Sequence, residues 1–185
     1  MIYAMNPYDK DRDAHLRDPY TGKVAEFRRA FGVHTPDDFE FQKLTAEQEK
    51  ELNTLLSHLR EVAHLARSLS KKYDGKVEQF SRAQLMTEEL FEVIEAIGRR
   101  DGAALTAELS DLLYVTVGSA LGFGLGAFLL PMFEEIHRAN MSKLSPEGKP
   151  FYDDSGKITK GPHYVKPNLI NVVNEVRGLR KLASS

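Results

Sequence analysis

Residues 86–121 read MTEELFEVIEAIGRRDGAALTAELSDLLYVTVGSAL, and this stretch decides the fold. Met86, Leu90, Val93, Ile94 and Ile97 recur at intervals of three and four, the period of a helix with one buried stripe. Asp101-Gly102 is a tight break, and a second apolar run from Ala103 to Leu121 reads as the next helix. So short a connection makes the two helices antiparallel neighbours. Each carries a pair of acids at helical spacing, Glu89 with Glu92 and Glu108 with Asp111. An i, i+3 pair projects from one helix face with a rise of about 4.5 Å between its members. From Ala103 to Leu121 the only charges are Glu108 and Asp111, so this helix is expected to be buried. Acids in such surroundings are rarely left without a partner.

Working outward, the rest of the chain is also helical in pattern. Lys23 to Phe31 sets Val24, Phe27 and Phe31 on one face and ends at Gly32. Thr45, with Gln48 three residues on, forms a capping box for a long helix to about Lys72. The helix holding Glu89 spans roughly Val77 to Arg99, and a fifth helix follows the Gly122–Gly124 turn and runs to about Lys143. Residues 143–167 are rich in Gly, Pro, Asp and Lys, and Phe151-Tyr152 and Lys157-Ile158 flank Asp153–Gly156 like a small hairpin. A last helix covers about Asn168 to Lys181. The expected architecture is all-α: an antiparallel bundle with a four-helix core and a short, irregular C-terminal arm. Residues 1–21 read as an N-terminal arm and 22–181 as a single domain.

Composition narrows the function classes. The chain has 185 residues, with 25 basic against 27 acidic side chains and a formal net charge of −2. No polybasic field exists to hold nucleic acid through its phosphates. The absence of cysteine excludes a disulfide framework, a thiolate metal site and a thiol nucleophile, and fits a cytoplasmic setting. The N-terminus has no apolar run of the signal-peptide kind. Leu112 to Phe133 is free of charge and long enough to span a bilayer. Its glycines, Pro131 and its acidic flanks favour two packed helices meeting at a turn, and no membrane partner is expected.

Antiparallel pairing would bring Glu89, Glu92, Glu108 and Asp111 together. Two carboxylates about 5 Å apart repel by roughly 3 kcal/mol at an effective dielectric of about 20. Such a cluster calls for cations or protons, and an all-oxygen donor set favours Mg²⁺, with Mn²⁺ a substitute, over zinc. A second metal reading starts from Glu61-x-x-His64 and Glu134-x-x-His137, the spacing used by di-iron carboxylate bundles. Their order along this chain departs from the usual alternation in such bundles. Glu88 and Glu95 read most simply as acids paired with Lys or Arg.

The set Glu89-x-x-Glu92 followed by Glu108-x-x-Asp111-Leu-Leu-Tyr resembles the signature of the all-α nucleoside triphosphate pyrophosphohydrolases. That group includes MazG-like proteins, dimeric dUTPases and phosphoribosyl-ATP pyrophosphohydrolases. Val24–Gly32 resembles the N-terminal helix of MazG-like members, and Glu135–Lys143 with Gly156–Tyr164 resembles their C-terminal arm. The resemblance implies Mg²⁺-dependent hydrolysis of a (d)NTP to the monophosphate and pyrophosphate, by water attack at the α-phosphorus. On that reading Glu89, Glu92, Glu108 and Asp111 hold two metal ions, and Glu88 is the base for the attacking water. Lys143, Lys157 and Lys160, with Arg138, would grip the pyrophosphate end from an arm (143–167) that closes over the substrate. Asn140 would read the base edge and Tyr164 stack on it. The resemblance further implies a homodimer or homotetramer. A non-catalytic nucleotide-binding or assembly module using the same pocket is the alternative.

Overall fold

The computed structural model describes residues 18–36 and 38–183; most of the expected N-terminal arm lies outside the described residues. Among the described residues there are six helices and no strand: α1 (Thr21–Ala30), α2 (Ala46–Lys72), α3 (Glu78–Arg99), α4 (Gly102–Gly122), α5 (Gly126–Met141) and α6 (Leu169–Ala183). The all-α class is thus borne out. The chain divides into two compact units, one of Asp37–Gly126 and one of Met1–Pro36 with Ala127–Ser185.

The first unit holds α2, α3 and α4, with α3 packed against both of the others. Local chemistry sets the boundaries. Thr45 and Gln48 form the expected capping box, each side chain accepting from the other's backbone N–H. At the junction of α3 and α4, Arg100 takes the left-handed conformation with φ +56°. Asp101 then caps α4 by accepting from the Ala104 N–H at 3.0 Å. The ring of Phe39 lies over Gly102, in the space a Cβ would fill. Both helix pairs are antiparallel. Arg60 meets Glu95 while Arg67 meets Glu88 across α2 and α3. Across α3 and α4 the start of α3 at Glu78 and Arg82 lies against Gly122 and Gly118, while Glu89 meets Glu108 and Asp111.

α4 differs from its expected burial. Leu109, Leu113, Tyr114 and Leu121 are exposed, Tyr114 at 79%. An apolar composition made the helix look enclosed, but within this unit it has only α3 to lie against. Among the described residues no single helix is long and apolar enough to cross a membrane.

The second unit contains α1, α5, α6 and the arm. Phe31, at 1% exposure, is its most enclosed large side chain, and Phe27 stacks on it with ring centroids 4.2 Å apart. The arm hangs on specific bonds. Tyr152 Oη donates to the Phe31 carbonyl at 2.9 Å, and Ser142 Oγ accepts from the Val165 N–H at 2.9 Å. The hairpin exists as one antiparallel bridge between Tyr152 and Ile158. Asp153 Oδ1 closes its turn by accepting from the N–H groups of Ser155 and Lys157.

Candidate functional site

The acids converge as their spacing implied. One carboxylate oxygen from each of Glu89, Glu108 and Asp111 lies within 4.8 Å of the others, and Glu92 is near enough to feel the charge of Glu108. α3 supplies two of the four and α4 the other two. Glu89 and Glu108 are half-buried, whereas Glu92 and Asp111 are exposed, so the cluster sits at an accessible edge. Burial, followed by the charges of Glu92, Asp111 and Glu108, pushes the Glu89 carboxyl above its ordinary value. Burial and then the charge of Glu108 push Glu92 the same way. Every cause acting on these two carboxyls opposes ionisation, and among the described residues no Lys, Arg or His pairs with them. An all-oxygen, self-repelling set at an open edge fits a hard divalent cation.

Glu88 has a different fate. Its Oε1 accepts from Arg67 Nε at 2.7 Å and lies 2.6 Å from Arg67 Nη2. Its Oε2 receives only the long Gln84 contact at 3.4 Å. A small hollow of about 190 Å³ beside it is lined by Arg60, His64, Arg67, Glu88, Phe91 and Glu92. Glu95 is bound by Arg99 at 3.2 Å and Arg60 at 3.9 Å. The sequence expectation that Glu88 and Glu95 pair with basic residues therefore holds. Arg67 had no sequence signal, because its partner lies on another helix, 21 positions away.

The remaining expected residues lie in the second unit. Arg138 grips Glu135 through two bonds of 2.7 Å and donates to the Lys166 carbonyl at 3.2 Å. Together with the Asn168 N–H, it pulls the Glu135 carboxyl down to about 2. Lys143 Nζ sits 5.9 Å from the centre of the Phe27 ring, and Lys160 Nζ sits 4.7 Å from that of Tyr164. Lys157 is exposed on the hairpin, and Asn140 is half-buried on α5. The residues of the di-iron pattern in this unit have other partners: His137 Nε2 is 3.1 Å from Glu26, and Glu134 is 3.7 Å from Lys23.

Residues 60–140 match the family model described as phosphoribosyl-ATP pyrophosphohydrolase. The family that this model describes is one of pyrophosphohydrolases, hydrolases acting on acid anhydrides, within the all-α NTP pyrophosphohydrolase superfamily, and the matched stretch is similar to it. It contains the four converging acids, Glu88 and Arg67. No curated protein and no solved structure matches the chain.

Proposed function

We propose that this chain is a Mg²⁺-dependent nucleoside triphosphate pyrophosphohydrolase, releasing pyrophosphate and a (d)NMP by water attack at the α-phosphorus. One observation carries the reading: Glu89, Glu108 and Asp111 place ligand atoms within 4.8 Å of one another, and among the described residues no Lys or Arg is paired with them. Glu92 completes the set, and the four acids would hold Mg²⁺, or Mn²⁺ in its place, as two ions per site. When bound, such ions supply positive charge to the phosphate oxygens and to the leaving pyrophosphate.

The chain's own groups do the rest. Glu88 Oε2, left with only a weak contact, accepts the proton of the attacking water. Arg67 holds the carboxylate through Oε1, so the second oxygen keeps one direction. Arg67 is a positioning residue in this scheme. Lys143, Lys157, Lys160 and Arg138 remain the proposed contacts for the pyrophosphate end, with Asn140 and Tyr164 for the base. Support for those six is the sequence resemblance, and the arm's role as a closing segment stands on the same ground. A homodimer or homotetramer is the proposed assembly.

A panel of NTPs and dNTPs with Mg²⁺ tests the reaction. Pyrophosphate with a nucleoside monophosphate is the expected outcome, and in ¹⁸O water the label enters the monophosphate. Label in pyrophosphate moves attack to the β-phosphorus. Orthophosphate with a nucleoside diphosphate overturns the reading, and binding without turnover makes the chain a nucleotide-binding module.

A further inference from the structure

We propose that the cleft between α2 and the C-terminal part of α3 binds the phosphoryl group of a small molecule, apart from the four acids. The cleft measures about 540 Å³ and shares no lining residue with the carboxylate cluster. It is lined by Arg60, Arg99 and Arg100, with Asn53 beside them and Leu52 and Leu56 as an apolar wall. Three guanidiniums face two carboxylates there, Glu49 and Glu95, leaving a net positive charge. Glu95 serves two of the arginines at once, at 3.2 Å from Arg99 and 3.9 Å from Arg60. Both of those side chains are more than half exposed, so their remaining N–H donors are open to a ligand.

Arg100 is the second observation. It occupies a left-handed position, φ +56°, where glycine is the unstrained choice. The chain nevertheless carries a guanidinium there, with Nη2 on Glu49 at 2.8 Å and a buried Nε that has no partner. Planar forks of this kind match phosphoryl oxygens in pairs. The volume lies within the range of roughly 300–1,000 Å³ typical of small-molecule sites and exceeds what a bare phosphate needs. With the leucine wall, this favours a phosphorylated molecule with a flat or apolar body, such as a nucleotide. α3 passes close to this wall at Gly98, where a Cβ would come to 3.3 Å from Leu52.

This inference is independent of the pyrophosphohydrolase reading, and its test removes metal chemistry. The full chain, in EDTA, is titrated calorimetrically with a nucleoside monophosphate, with pyrophosphate and with inorganic phosphate. Saturable, salt-sensitive binding is expected, weakened about tenfold in Arg99→Gln and in Arg100→Gly. It should be unchanged in the double variant Glu108→Gln, Asp111→Asn. Arg100→Gly is expected to fold because its backbone conformation is native to glycine. Tighter binding of the nucleoside monophosphate than of phosphate identifies a nucleotide as the ligand, whereas equal affinities identify a free phosphoryl anion. No binding of any probe, binding indifferent to both arginine changes, or binding lost in the acid variant overturns the proposal.

Discussion

The two sides of α3 treat the same residue type in opposite ways. Toward α2, Glu88 and Glu95 are each met by an arginine, and their negative charge is already balanced by the chain. Toward α4, Glu89 and Glu92 meet Glu108 and Asp111, and every neighbour raises the cost of ionisation. Arginines of α2 and α3 meet Glu88 and Glu95 on one side, and none meets Glu89 or Glu92 among the described residues, which separates a closed electrostatic site from an open one. The closed side holds structure and orients a carboxylate. The open side is an acidic cluster consistent with binding a divalent cation.

The largest expected effect is on the open side. Glu108→Ala or Asp111→Ala should lower kcat by about a thousandfold or more, since a lost metal ligand removes charge stabilisation from the whole transition state. Metal-free stability should stay level or rise, because one source of repulsion is gone. Mg²⁺ should raise the melting temperature of the parent chain and leave both variants unmoved. A large loss of metal-free stability in the variants would make these acids structural and erase the contrast between the two sides.

Next comes the orientation of Glu88. Glu88→Gln should cost about a hundredfold in kcat with Mg²⁺ affinity retained, since the amide cannot take the proton. Arg67→Ala should cost less and shift the pH–rate profile, while Arg67→Lys restores part of the rate. Unchanged kinetics in both would assign the pair to structure alone.

Acidity separates the two kinds of carboxylate by sign. Glu89 and Glu92 have raised values in the fold, so their ionisation weakens the metal-free chain above those values. That penalty lifts as pH falls from neutrality towards the ordinary carboxylate value of 4.5. Glu135 is the reverse: its stabilisation is present above 4.5 and is lost as pH falls through about 2. Metal-free melting curves should therefore show a gain on mild acidification and a loss on strong acidification. Glu135→Gln should abolish the second phase and spare the first.

The smallest effect belongs to Glu95→Ala, which breaks two partly exposed pairs. A change of about 0–1 kcal/mol is expected in urea unfolding. A value several times larger would mean that the α2–α3 side depends on its ion pairs rather than on apolar packing.

Much of this was legible in the residues. The period of Met86, Leu90, Val93, Ile94 and Ile97 specified α3, and Thr45 with Gln48 specified the start of α2, because helix period and cap chemistry are local properties. The spacing of Glu89 to Glu92 and of Glu108 to Asp111, with a two-residue break between helices, was enough to foresee a cluster. Burial was harder to read. The apolar composition of α4 suggested enclosure, yet Leu113 and Tyr114 are exposed, since composition states what a helix could bury and not what lies beside it.

By itself, then, the sequence determined six helices' worth of pattern, the pairing of α3 with α4, and the donor chemistry of the open side. The tertiary structure alone decided that Arg67 reaches Glu88, that Glu95 is shared by two arginines, and that Arg100 adopts a left-handed conformation over a cleft. The physical reason is range. Periodicity and capping act within a few residues, whereas a guanidinium finds its carboxylate only after two helices have packed and set the distance between them.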